Sequence, residues 1–396
     1  MARCYGHIFM ITRHQIYFQN SRNMDALQSE TVDLVITSPP YPMIEMWDVM
    51  FAAQNAAISK ALDKGDGSLA FELMHRELDA VWHEVWRILK PGGTACINIG
   101  DAARTINGRF MLYPNHSRIL NQLLKLRFQA LPAILWRKQT NAPNKFMGSG
   151  MLPPGAYVTL EHEYILILRK GAKREFMKDT DKKNRRESAF FWEERNTWFS
   201  DVWMDVKGTS QHLGDRAARL RSAAFPFDVP YRLINMFSVK KDLVVDPFLG
   251  LGTTMWAAMT AGRNCVGYEI EGRLRTEIEA IKHTIVTLAN EKNKNRIRNH
   301  LGYLDANINA KSKFNYKNVH YNFPVKTRQE TEMLLNPLLT IETIGKDCFE
   351  VTYSEIPHRS WIHENYKLDK YQTKSSISKG VTSSKKKRRS VQRNLW

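Results

Sequence analysis

The sequence predicts an α/β fold built on an open, doubly wound, mostly parallel sheet with helices on both faces. Two observations carry this. Short apolar runs rich in β-branched residues recur at VDLVI (32–36), TACINI (94–99), EYILIL (163–168) and DLVVD (242–246). Runs of that length, bounded by breakers, read as strands buried on both faces. Between them lie stretches with apolar residues three and four apart, the spacing of an amphipathic helix, and alternating strands and helices imply a parallel sheet.

Taken in order, VDLVI stops abruptly at Ser38-Pro39-Pro40-Tyr41. Two successive prolines fix their own backbone angles and remove two N–H donors, so this loop is stiff and offers carbonyl oxygens. ELDAVWHEVWRIL (77–89) has a helical apolar period and ends at Lys90-Pro91-Gly92-Gly93. Trp82 and Trp86, four apart on it, belong most simply to the core. Residues 170–196 mix dense charge with aromatics and lack a clean period, as an insertion or loop region would. DLVVD then runs into PFLGLGTT, so that Asp246 ends a strand and Gly250, Gly252, Thr253 and Thr254 open a helix. Glycines there let a ligand approach the backbone, and the free N–H groups of a helix start favour a polar or anionic group. The next strand, NCVGYEI, ends near Glu269, an acid placed about twenty positions on, where it can accept both hydroxyls of a ribose.

Composition narrows the partner. The 396 residues carry a formal net charge of +18 and a pI near 9.7, an excess that attracts polyanions, nucleic acid foremost. With 43% apolar residues the chain can bury a sizeable core. Cys4, Cys96, Cys265 and Cys348 are too scattered for a disulfide framework or a zinc cluster, which points to a reducing, cytoplasmic setting. No apolar stretch is long enough to span a bilayer. His162 in EHE has no second histidine at ligand spacing, so no metal site is expected.

The glycine loop does not suit a dinucleotide. Gly250-x-Gly252 lacks the third glycine of the usual fingerprint, and a carboxylate at Asp246 repels a pyrophosphate while suiting a cationic amino-acid group. That points to S-adenosylmethionine. In an open parallel sheet ligands bind at the carboxyl ends of the strands, and both loops follow directly on a strand.

TSPPY, followed much later by Phe-Pro, DPFLGLGTT and GYEIE, resembles the amino-methylating DNA methyltransferases of the permuted beta group, whose catalytic loop precedes their cofactor loop. The likeness covers roughly residues 15–275. It implies a Rossmann-like S-adenosylmethionine-dependent methyltransferase fold with a catalytic domain over 1–284 and a target-recognition region near 170–210. Beyond it, Asn- and Lys-rich composition marks an appendage over 285–370 and low-complexity basic residues a flexible tail over 371–396. It makes Ser38, Pro39, Pro40 and Tyr41 the catalytic loop, with Asp33 opening its strand. Asp246, Phe248, Gly250, Gly252, Thr253, Thr254 and Glu269 become cofactor residues, with Phe225 and Pro226 lining the methionine end. Many relatives carry Gly-Asp at the adenine contact; here Gln19-Asn20 stands there, so Asn20 takes that role.

The same resemblance implies double-stranded DNA as substrate, a prokaryotic nucleoid setting and a functional pairing with a restriction endonuclease. Serine at the head of SPPY is the residue more usual for cytosine N4 than for adenine N6. An exocyclic amine is a poor nucleophile because its lone pair is delocalised into the ring. The Ser38 hydroxyl and the Pro39 carbonyl can accept both N–H bonds and draw that pair back, with Tyr41 stacked on a flipped-out base. Candidate DNA contacts are Arg174, Lys178, Lys182, Lys183, Arg185 and Arg186, then the Gly- and Pro-rich loop 137–155 and the basic patch Lys385–Arg389.

Overall fold

A computed structural model describes residues 9–138, 147–207, 225–307 and 314–362. Lys385–Arg389 and the rest of the expected tail lie outside the described residues, as do Cys4 and parts of the expected recognition segments (139–146 and 208–210).

Ten strands form one sheet: β1 (Phe9–Tyr17), β2 (Val32–Thr37), β3 (Leu89–Ile99), β4 (Phe128–Arg137), β5 (His162–Lys170), β6 (Val202–Trp203), β7 (Leu243–Asp246), β8 (Asn264–Tyr268), β9 (Leu338–Gly345) and β10 (Cys348–Ser354). Their spatial order is β6-β4-β5-β3-β2-β7-β8-β1-β10-β9. The neighbours β3, β2, β7, β8 and β1 are all parallel. β5 runs against β3 and β4, and β10 runs against β1 and β9. EYILIL is therefore an antiparallel member of the sheet. Its reversal sends the start of β5 to the edge where its neighbours end.

The central strands bury alternate side chains on opposite faces. Leu34, Ile36, Val244 and Cys265 enter one core, with Val229, Ile234, Met255 and Ala258 from the helices α7 (Asp228–Phe237) and α8 (Thr253–Ala261). Val35, Val245 and Val266 enter the other, with Leu78, Val81, Trp82 and Val85 from the long helix α3 (Gly67–Ile88). With both faces covered, the pattern reads as continuous apolar runs and not as alternation. Trp82 is fully buried and Trp86 packs edge-on against Phe128, as core residues do.

The other helices before α7 are α1 (Asp48–Gln54), α2 (Ala56–Asp63), α4 (Asn115–Lys125), α5 (Asp179–Glu187) and α6 (Trp192–Trp198). About half of residues 170–196 is thus helical, and the stretch is not one continuous loop. α5 has no buried residue; its order comes from Asp179 and Asp181 in the first turn and Arg185 and Arg186 in the last, which match the helix dipole.

The expected boundary at 284 is corrected. β10 pairs along the length of β1, so the C-terminal segment completes the catalytic sheet. A third apolar cluster joins the helix Ile285–Asn307 and residues 314–335 to Phe191, which fastens that segment to the centre of the chain.

Candidate active site

β2, β7, β8 and β1 end at one edge, and Ser38, Asp246, Glu269 and Asn20 stand at or just beyond those ends. They line a single cavity of about 510 Å³, together with Pro39, Pro40, Phe225, Phe248, Gly250, Thr253 and Thr254. The loops foreseen as catalytic and as cofactor-binding therefore share one pocket.

Side-chain hydrogen bonds hold them there. Thr37, the last residue of β2, donates from Oγ1 to Asp246 Oδ1 at 2.6 Å, and Thr254 donates to Asp246 Oδ2 at 2.6 Å. The Phe248 N–H adds a third bond to Oδ1 at 3.0 Å. Burial pushes the Asp246 carboxyl up to about 6. Asp246 thus ties the β2 strand to the glycine loop: its Oδ1 accepts two bonds, and Oδ2 keeps one acceptor site beside Thr254 on the cavity wall.

Glu269 accepts from the Gly250 N–H at 2.8 Å and the Glu271 N–H at 2.7 Å, and burial pushes it up to about 7. Gly252 has φ +85 and caps α8 in the left-handed region, which favours glycine. A Cβ there would sit 3.1 Å from Trp256 Nε1 and 3.2 Å from Ile278 Cγ2. Asn20 Oδ1 accepts from the Arg22 N–H and its Nδ2 donates to Gln54 at 3.3 Å, which fixes the amide at the cavity wall. Pro226 is buried at the start of the α7 segment, outside the lining residues.

Tyr41 corrects an expectation. Its side chain is only 9% exposed and packs in the apolar core, with Gly100 against the ring. It offers no free face on which a base can stack. Its hydroxyl donates to Glu163 Oε2 at 2.8 Å, receives Asn98 Nδ2 at 2.8 Å and lies 3.1 Å from Ser38 Oγ. Asn98 Nδ2 also reaches Glu163 Oε2 at 2.6 Å, and Lys138 Nζ reaches Glu163 Oε1 at 2.8 Å. Sequence reasoning missed Asn98, Glu163 and Lys138. Their only signal is that EYILIL begins with a charged residue, which becomes informative once β5 is known to run backwards.

The six basic candidates of the central insertion are not brought to this edge. Arg174 pairs with Asp242 at 2.6 Å and Asp33 at 3.4 Å, at the starts of β7 and β2. α5, which carries Lys182, Lys183, Arg185 and Arg186 and follows Lys178, is tied to that same opposite edge by Asn184 Nδ2 donating to Lys240 O. A surface built from these residues faces away from the cavity, because β5 runs against β3 and β4 and ends at the edge where they begin. The described part of the 137–155 loop does rise from the cavity edge. Its hairpin stacks Tyr157 on Phe110 at 4.5 Å, and the neighbouring hairpin holds Arg104 against Asp48 at the start of α1, which walls the cavity.

Among the described residues no three His, Cys, Asp or Glu side chains cluster as a metal site, and His162 packs edge-on against Tyr164. No helix of the described residues is long and apolar enough to cross a membrane.

Residues 32–281 match a protein family described as DNA methylase. The chain is 50% identical over 348 residues to the type II methyltransferase M.MthZI of Methanothermobacter thermautotrophicus, covering 88% of this chain and 97% of that one. It is 49% identical over 283 residues to M.MjaI of Methanocaldococcus jannaschii, covering 69% and 92%. A putative DNA modification methylase of Thermus thermophilus, solved with S-adenosyl-L-methionine, superposes with a TM-score of 0.52 at 29% identity over 69% of this chain and 95% of that one. The match spans both loops of the cavity and the strands that carry them, and the chain belongs to the DNA methylase family, as a DNA methyltransferase of its N6/N4 group.

Proposed function

We propose that this protein transfers the methyl group of S-adenosylmethionine to N4 of cytosine in double-stranded DNA at a specific sequence, marking sites that a partner restriction endonuclease would otherwise cut. The observation that carries the reading is Ser38 on the wall of the cavity that also holds Glu269, Asn20 and the glycine loop.

The residues present fit that cofactor. A cavity of about 510 Å³ lies within the usual range for small-molecule sites, about 300 to 1,000 Å³. Glu269 can take the two ribose hydroxyls, Asn20 an adenine edge, and Phe225 and Phe248 supply apolar wall. When bound, the cofactor supplies an electrophilic methyl group on a sulfonium.

The protein's own part is to hold and activate the amine. The Ser38 oxygen and the Pro39 carbonyl accept its two N–H bonds, which favours a tetrahedral nitrogen with its lone pair free. No strong base is needed before transfer, since the nitrogen sheds a proton readily only after it becomes cationic. Reaching the amine requires taking the base out of the stack, at a cost of a few kcal/mol. Arg137, which ends β4, and Lys207, just past β6, stand at that edge of the sheet and give the phosphate backbone its counter-charge, Arg137 by exchanging its Glu161 partner for a phosphate. Beside them Met151 and Leu152 are 83% and 72% exposed, apolar tips of the kind that wedge between base steps.

Type II methyltransferases at about half identity support the pairing with an endonuclease. The test is to express the protein in a methylation-free host, digest the genomic DNA to nucleosides and sequence it with base identity resolved. N4-methylcytosine at one sequence is expected; N6-methyladenine in its place would move the assignment to adenine.

A further inference from the structure

Glu163 touches neither the amine nor the cofactor cavity, yet it is 7% exposed and reaches Ser38 through one intervening hydroxyl. Its neighbours leave little freedom in where the protons lie. Asn98 Nδ2 can only donate, and it stands 2.6 Å from Glu163 Oε2 and 2.8 Å from the Tyr41 hydroxyl. Turning that amide over would press its oxygen against the carboxylate, so Glu163 fixes its orientation. Lys138 Nζ, also donor only, lies 2.8 Å from Oε1. Every one of these neighbours donates to the carboxylate, and the Tyr41 hydroxyl spends its one proton there.

With that proton committed, the Tyr41 oxygen can only accept from Ser38, 3.1 Å away. The Ser38 proton then points into the protein; one of its lone pairs faces Asn98 Nδ2 at 3.5 Å and the other is left for the cavity. We infer that Glu163 is a positioning residue: through Tyr41 it sets the direction of the Ser38 hydroxyl, so that Ser38 meets the target amine as an acceptor. The inference rests on the amine-methylating reading above. Burial and the Glu163 charge also keep the Tyr41 phenol protonated by raising its pKa, so the link holds across the working pH range.

A pair of variants separates hydrogen-bond polarity from support of the fold. In Glu163→Gln the carboxamide oxygen takes the Lys138 side and its Nε2 faces Tyr41 and Asn98. Asn98, no longer held by a carboxylate, turns over to accept one N–H, and Tyr41 accepts the other. The Tyr41 proton turns to Ser38, and the Ser38 proton is pushed toward the amine. The turnover number should fall about a hundredfold, the scale of one missing transition-state hydrogen bond, while DNA KM, cofactor Kd and thermal midpoint stay close to wild type. Tyr41→Phe cuts the link and leaves Ser38 free to rotate, so the double variant should be more active than Glu163→Gln alone. Losses that add in the double variant, an unchanged turnover in Glu163→Gln, or parallel losses of turnover, cofactor affinity and thermal midpoint would each overturn it. Wild-type protein that methylates no DNA in the same assay would overturn the functional reading itself, a result separate from these.

Discussion

Thr37 donates to Asp246 at 2.6 Å across the two central strands, and the residue after Thr37 is Ser38. One buried hydrogen bond therefore sets the spacing between the catalytic loop and the glycine loop. Thr37→Val keeps the shape and removes the donor. Its cost is about 1 to 3 kcal/mol, because Asp246 loses one of the donors on Oδ1 while remaining buried. Chemical denaturation should show that loss, and calorimetry should show weaker cofactor binding, since Asp246 also anchors Thr254.

Ser38→Ala removes an acceptor for the amine and touches neither Asp246 nor Glu269. Turnover is expected to fall about 10²- to 10³-fold with cofactor Kd unchanged. Single-turnover transfer of labelled methyl groups measures the first and equilibrium titration the second. An equal loss in both would mean that the serine holds the loop together.

Burial raises Asp246 to about 6 and Glu269 to about 7, above their unfolded values of 3.8 and 4.5. The folded state thus holds protons that the unfolded chain has released. The stability from these two groups is fully present below about pH 4 and is lost as the pH rises through 6 and 7. For cofactor-free protein, the contribution of this pair to the unfolding free energy falls between about pH 4 and pH 7. Glu269→Gln should flatten that slope in denaturation curves taken across the range. Cofactor binding should take up the opposite side of the linkage: ribose hydroxyls favour the charged carboxylate, so binding near pH 6.5 releases protons, measurable by calorimetry in buffers of different ionisation enthalpy.

The two edges of the sheet should answer differently to loss of charge. Arg137→Ala with Lys207→Ala, at the cavity edge, should weaken DNA binding and reduce the salt slope by about 0.9 for each phosphate left without its cation. Arg174→Ala, at the other edge, should leave DNA affinity alone. It costs stability instead, about 1 to 2 kcal/mol, because Asp33 and Asp242 lose their shared partner; the 38% exposure of Arg174 keeps the loss below that of a fully buried pair.

Gly252→Ala puts a Cβ on a left-handed residue, 3.1 Å from the Trp256 ring nitrogen. Strain of about 1 to 2 kcal/mol is expected, with a lower thermal midpoint and a weaker cofactor complex.

Much of the fold and of the cavity is readable from the chain. The runs around Val35 and Val245 mark strands buried on both faces, and strand-ending loops in a parallel sheet must share an edge, so Ser38 and Gly250 can be placed together without coordinates. The rest depends on chain reversal and on charge. No pattern in EYILIL tells that β5 runs against its neighbours. That reversal alone carries Glu163 to the active edge and Arg174 away from it. α5 has no apolar stripe, so a reading based on hydrophobic period passes over it, although its acid-first, base-last order is itself a helix signal. Tyr41 escapes a sequence reading for a related reason: whether a ring faces a cavity or a core depends on what stands behind it, here Gly100 and Asn98.

The place of β1 has a consequence for how the protein is made. Arg13 on β1 bonds Asn264, 251 residues later, on one side, and Glu350, 337 residues later, on the other. β1 is therefore flanked by two strands that are made much later. At about 5 to 20 residues per second, β1 waits about 15 to 70 s for its second neighbour. The cavity, whose lining runs from Gln19 to Leu274, cannot form until the glycine loop and β8 have been made, and β1 lacks its second neighbour until β10 follows, so the nascent chain must be kept from pairing with other chains meanwhile.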